Sequence, residues 1–231
     1  MSAAPFVLVP GYWLGGWAWD RVVPGLTAAG HQVTAVTLPG LGSAGDDRRS
    51  IHLRDHVASL AEVLAAQDAD TVLVAHSGAG KLVTGVLDQD PRAVARVVYV
   101  DSGPSADGAA DDVPPELAEL PLPPWEELQA SLDGLSPADL TLFRERAVPH
   151  PAAVAREPLR LGDPRRREVP STFITCSFPA ATVTELAAQG HPMFAEVAQL
   201  TDVTWVDLPT GHWPMWSRPA DLVDALLTTA G

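Results

Sequence analysis

Residues 72–80 read Val72-Leu73-Val74-Ala75-His76-Ser77-Gly78-Ala79-Gly80. The first part is an apolar run of the kind carried by strands buried on both faces. A helical pattern begins within a few residues of Ser77, with Lys81 to Leu87 as its first turns. Turning from strand to helix across a single residue strains that residue's backbone, and only small neighbours avoid a clash. Ala75 and Ala79 meet the size requirement at the positions where a G-x-S-x-G elbow carries glycine. Such a turn lifts the Ser77 hydroxyl clear of the C-terminal edge of a sheet. It also sets the hydroxyl over a helix N-terminus, whose N–H groups favour a developing negative charge. A plainer possibility is a small-residue turn that packs a helix on a sheet, with Ser77 as its cap.

The pattern repeats on either side. An apolar run at 6–9 ends in Pro10-Gly11, as a buried strand does on meeting a turn. Trp19, Val22, Val23 and Leu26 have helical spacing over 19–29, and Gly30 stands where a helix-ending glycine would. Alternation over 32–38 predicts a strand. After a Gly-rich loop, Ser50 is the expected N-cap of a helix carrying Leu53, Val57, Leu60 and Leu64 on one face. Strands are expected at 71–75 and 94–100, then at 172–176 and 203–208, with helices at 183–189 and from Pro219 to 229. This order predicts an α/β protein with a mostly parallel sheet of about six strands, right-handed crossovers and helices on both faces.

Residues 104–169 break the rhythm. They are proline-rich, acidic at first, and have no run free of Pro or charge that is long enough to join the sheet. The economical reading is a helical lid inserted into a single 1–231 domain, with helices near 125–132 and 137–146. A partly disordered loop would fit the same composition.

Composition narrows the classes of partner. The 231 residues are 46% hydrophobic and 19% charged, enough to bury a large core. Fifteen Lys and Arg against 29 Asp and Glu leave a net charge of −14, which repels nucleic acid and anionic membranes. A lone cysteine, Cys176, forms no intrachain disulfide, and no signal-peptide pattern precedes the first strand, so a cytoplasmic location is expected. No metal-ligand spacing and no phosphate loop are present, so no metal or cofactor is expected.

A serine at its ordinary pKa needs a base. Of the seven histidines, His31, His52, His56, His150 and His191 fall where packing or solvated roles are the default. His76 adjoins Ser77, but its side chain points away along the turn. His212 lies in Pro209-Thr210-Gly211-His212-Trp213-Pro214, just past the last strand and at the same sheet edge as Ser77, which makes it the candidate general base.

The elbow serine, the late insertion and the Gly-His loop before the last helix resemble the α/β-hydrolase fold over nearly the whole chain. Phe6-Val-Leu-Val-Pro-Gly-Tyr-Trp-Leu-Gly-Gly-Trp17 with Trp19 is similar to the opening of the small methylesterase and hydroxynitrile lyase branch. The resemblance implies an oxyanion hole built from the backbone N–H of Tyr12 and of Gly78, with Pro10 where the family has His. It also implies an acid after the penultimate strand, but 177–181 hold no carboxylate. A second family pattern puts the acid after the strand that follows the elbow, where this chain has Asp101; Asp207 and Glu185 are the reserves.

Together these residues predict a serine esterase that cleaves a small, largely apolar carboxylic ester through an acyl-enzyme. Trp13, Trp125 and Trp213 are the expected pocket walls, although the seven tryptophans could equally be core. A hydroxynitrile lyase would need a Lys after the base, where Trp213 stands. A non-hydrolytic protein that binds a small molecule, with the serine idle, and a cofactor-free oxygenase compete with the esterase reading. The partner expected is a small-molecule ester, with the chain a monomer or homodimer.

Overall fold

The structure is a computed structural model that describes residues 3–68 and 70–230. Met1 and Ser2, at the head of the N-terminal reading, and Gly231, at the end of the expected domain, lie outside the described residues. The described chain runs β1 (Phe6–Val9), α1 (Val23–Ala28), β2 (Val33–Ala35), α2 (Leu53–Ala65), β3 (Val72–His76), α3 (Ala79–Gln89) and β4 (Arg96–Val100). Then come β5 (Glu119–Leu120), α4 (Pro137–Arg146), β6 (His150–Pro151) and α5 (Ala152–Arg156). It closes with β7 (Ser171–Thr175), α6 (Ala180–Ala188), β8 (Val203–Asp207), α7 (Pro214–Ser217) and α8 (Pro219–Leu227). Among the described residues no helix is long and apolar enough to cross a membrane.

Six strands pair in parallel in the order β2-β1-β3-β4-β7-β8, so the expected α/β architecture is what the chain adopts. Strand residues alternate between two apolar layers. Val7, Leu73, Val97 and Phe173 face α2, α3 and α6, whereas Leu8, Val74, Val98 and Ile174 face α1, α7 and α8. β5 and β6 form a separate antiparallel ribbon within the segment that joins β4 to β7.

The chain leaves β1 toward β2 on one side and returns to β3 on the other. That reversal opens a crevice at the strands' C-terminal ends, where open α/β sheets bind ligands. Register decides what meets there. Val9 pairs with Ala75 and His76 with Val100, so the turn at Gly11, Ser77 and Asp101 come level at one edge. The ladder extends past the strands through Ser77 N–H to the Val100 carbonyl and Asp101 N–H to the Ile174 carbonyl.

Three local expectations are corrected. The helix over 19–29 divides into a 3₁₀ turn at Gly16–Trp19 and α1, because Pro24 cannot sit inside a helix and instead starts one. The cap of α2 is His52 rather than Ser50: the Asp55 carboxylate, three residues into the helix, accepts from the His52 N–H at 2.8 Å. Residues 125–132 form isolated turns and no helix. Pro123-Pro124 precede them, and the Ser131 carbonyl accepts from the His212 N–H of a distant loop.

Gly80 tests the close packing behind the elbow. Alanine would gain about 1 kcal/mol of helix propensity there. Its Cβ, however, would lie 2.1 Å from the Gly103 carbonyl oxygen, which belongs to backbone and yields little. Overpacking should win, so Gly80→Ala is expected to lower stability by about 1–3 kcal/mol, read as a lower urea midpoint at unchanged m.

Candidate active site

Ser77 follows β3 directly, with φ of 54°. That left-handed conformation costs a non-glycine residue on the order of 1 kcal/mol. Tertiary contacts enforce it. A Cβ on Gly11 would come within 2.7 Å of Ser77 Cβ, so only glycine lets the β1 loop pass behind the serine. From the other side Ser102 Oγ donates to the Ser77 carbonyl at 2.6 Å. Trp13 and Asp101, with φ of 67° and 42°, are the other described non-glycine residues in this region of backbone space. Backbone strain is thus concentrated around one crevice.

His212 Nε2 lies 2.7 Å from Ser77 Oγ, and His212 Nδ1 lies 2.5 Å from Asp101 Oδ2. With Nδ1 donating its proton to the carboxylate, Nε2 carries the lone pair that accepts from the serine hydroxyl. The Asp101 carboxylate is filled by three further donors. Oδ1 accepts from the Cys176 and Ser177 backbone N–H groups at 3.1 and 2.8 Å, and Oδ2 from Ser177 Oγ at 2.7 Å. Burial alone would raise the pKa of Asp101. The bond to His212 and its charge, with the Ser177 bonds, outweigh burial and hold it down to about 2.

The reserve carboxylates are elsewhere. Asp207 accepts from Thr175 Oγ1 and the Ala180 N–H at the sheet edge, and Glu185 bonds to Gln189 on α6. Tyr12 and Gly78 adjoin: a Cβ on Gly78 would lie 2.5 Å from Tyr12 Cε1. Among the described residues neither of their backbone N–H groups donates to a protein acceptor. The Tyr12 hydroxyl donates to Asp111 at 2.6 Å, and burial together with that carboxylate raises its pKa well above the ordinary value.

The His212 loop is tied to the segment between β4 and β7. His212 N–H donates to the Ser131 carbonyl at 2.8 Å and Gly211 N–H to the Asp133 carbonyl at 3.1 Å. A Cβ on Gly211 would meet both of those residues' backbones at 2.5–2.7 Å. Trp13 ties the β1 loop to the same segment, donating Nε1–H to the Leu120 carbonyl and accepting the Val148 N–H. These cross-links had no counterpart in sequence pattern, because carbonyls carry no residue code.

A cavity of about 970 Å³ opens over Ser77. Trp13 and Trp213 line it, as do Phe173, Val183, Phe194 and Val197, and Phe178 and Met193 stand exposed at its mouth. Trp125 does not line it. That pocket wall is corrected: the Trp125 ring packs on Phe143, with the Arg144 guanidinium 3.9 Å over its face. Trp17 and Trp216 stack at 5.6 Å in the same aromatic cluster, so these tryptophans serve packing. The one lysine on the cavity wall, Lys81, has Nζ committed to the carbonyls of Val154, Ala155 and Glu157 at 2.7–3.2 Å.

A family model described as the alpha/beta hydrolase family matches residues 6–225. The chain is similar to the carbendazim hydrolyzing esterase of a Nocardioides species, 35% identical over 101 residues. That match spans 43% of this chain and only 42% of the relative's own length. It is also similar to methyl jasmonate esterase 1 of Vitis vinifera, 28% identical over 260 residues that cover 94% of this chain and 93% of the relative. Among solved structures, an extracellular alpha/beta-hydrolase from a Paenibacillus species superposes with a TM-score of 0.77 at 21% identity over 99% of both chains, which shows a shared fold.

The depressed Asp101 pKa has a signed consequence. A carboxyl group held below its unfolded-state value stabilises the fold above that value, near ~4, and loses the contribution as pH falls through about 2. The stability advantage of wild type over Asp101→Asn should therefore shrink by on the order of 2 kcal/mol between pH ~4 and ~2. Urea denaturation across that range measures it, and a constant difference would contradict the assignment.

Proposed function

The chain belongs to the alpha/beta hydrolase family, and on that premise we propose that it is a serine hydrolase cleaving small, uncharged, largely apolar carboxylic esters. The observation that carries this reading is the unbroken run of hydrogen bonds from Asp101 through His212 to Ser77, at 2.5 and 2.7 Å. In the proposed reaction Ser77 Oγ attacks the ester carbonyl carbon while His212 Nε2 takes its proton. Asp101 keeps His212 in the required tautomer and stabilises the imidazolium that forms. The Tyr12 and Gly78 N–H groups receive the oxyanion. His212 then returns the proton to the departing alcohol, leaving an acyl-Ser77, and a water activated by the same His212 releases the acid and restores the serine.

The similarity to esterases supports ester hydrolysis. The charge of the cavity wall supports an uncharged substrate. Asp101 and Asp111 contribute carboxylates, while Lys81 is occupied by three carbonyl oxygens, so an anionic substrate would find no available ammonium there. The apolar side chains around the rest of the wall favour an aromatic or aliphatic acid portion. The segment 104–169, of which 104–106, 109–111 and 128–131 line the cavity, is proposed to select substrate.

Intact-mass analysis after treatment with a fluorophosphonate tests the reading. Wild type should gain one adduct and Ser77→Ala none, and Asp101→Asn should label roughly 10²–10⁴-fold more slowly. A wild type that stays unlabelled would remove the hydrolase assignment. In an ester panel, neutral aryl and alkyl esters should turn over faster than analogues bearing a free carboxylate.

A further inference from the structure

One buried histidine takes no part in this scheme. His76 precedes the serine, is 1% exposed and uses both ring nitrogens. Gly11 N–H donates to Nδ1 at 3.3 Å, so Nδ1 holds a lone pair and the ring proton sits on Nε2. Nε2–H donates in turn to the His212 carbonyl oxygen at 2.8 Å. The ring therefore joins two loops that are remote in sequence. One leaves β1 and carries the Tyr12 N–H, one residue beyond Gly11; the other leaves β8 and carries His212.

From this bridge we infer that His76 is a positioning residue, which registers the oxyanion donors of the β1 loop against the general base. The inference rests on the hydrolase reading above. Its geometry is specific. The His212 backbone is gripped from both sides, its N–H by the Ser131 carbonyl and its C=O by His76. The His212 ring then has little left to vary but its side-chain torsions, which Asp101 sets. The His76 ring lies 4.9 Å from the His212 ring, centroid to centroid, and is packed edge-on against Trp19 at 6.4 Å, so it has one available orientation.

Neutrality is part of the device. A protonated Nδ1 could no longer accept from Gly11. Burial, followed by the nearby charge of His212, pushes the His76 pKa down to about 3, so the bridge persists while His212 carries the transferred proton. A phenylalanine at 76 would fill similar space but leave a buried N–H and a buried carbonyl unpaired. A glutamine keeps an amide N–H within reach of the His212 carbonyl.

The test compares wild type, His76→Phe, His76→Gln and Leu26→Ala. Leu26 is fully buried in α1, away from the site, so its truncation supplies a stability loss without a change of site. The readouts are fluorophosphonate labelling rate, kcat and KM on a neutral aryl ester, and the low-field proton resonance of His212 Nδ1–H. His76→Phe should lower labelling rate and kcat about 10- to 100-fold with KM changed less than about threefold, and should shift or broaden the resonance. His76→Gln should recover part of the loss, and Leu26→Ala should keep wild-type rates. If wild type labels and His76→Phe labels equally fast with an unmoved resonance, the positioning role is wrong and the hydrolase reading stands. Should His76→Phe fail to fold, wild-type rates in His76→Gln with the resonance lost would overturn the role equally. If wild type itself does not label, both readings fall together.

Discussion

Behind Ser77 three stretches of backbone approach more closely than side chains allow. Gly11 passes where a Cβ would strike Ser77 Cβ at 2.7 Å, and Gly80 passes where one would strike the Gly103 carbonyl oxygen at 2.1 Å. Ser102 Oγ closes the third side by bonding to the Ser77 carbonyl. This packing holds the serine at φ 54°, a conformation it would leave if it were free. The strained turn aims Oγ at His212 and puts the Gly78 N–H beside the Tyr12 loop. Loosening any of the three approaches would let the turn relax and carry the hydroxyl away from His212.

The electrostatics of the crevice are built by saturation. Asp101 sits one strand over from the serine, at the end of β4, and reaches across to the backbone leaving β7. There the Cys176 and Ser177 N–H groups and the Ser177 hydroxyl receive its oxygens. Those donors and His212 outweigh the burial that would otherwise favour the neutral acid. A carboxylate that remains charged at all ordinary pH can compensate an imidazolium without accepting its proton. His76 is the complement, a buried imidazole held neutral, with both nitrogens committed to backbone.

The segment between β4 and β7 reaches into the site through backbone. The Ser131 and Asp133 carbonyls hold the His212 loop, and Leu120 and Val148 hold Trp13. Lys81, on the helix that follows Ser77, donates to the carbonyls of Val154, Ala155 and Glu157.

By itself the sequence determined the elements that rest on local physics. Short apolar runs, continuous in most strands and alternating over 32–38, made the strands of the parallel sheet legible, and glycine and proline punctuation marked their ends. The strand–Ser–helix junction marked Ser77, and a Gly-His step past the last strand marked His212. Asp101 was legible only beside Asp207 and Glu185, since choosing among carboxylates takes knowledge of which strand ends are neighbours. The tertiary structure sets Asp101, and neither Asp207 nor Glu185, against His212 through strand order and register, which bring Asp101 to His212 across 111 residues and Ser77 to His212 across 135. It also decided that Trp125 packs in an aromatic cluster, that His52 rather than Ser50 caps α2, and that His76 bridges two loops. Each depends on partners distant in the chain or on bonds made by main-chain atoms. Periodicity and propensity describe a residue's near neighbours, whereas such contacts exist only once the chain has closed on itself.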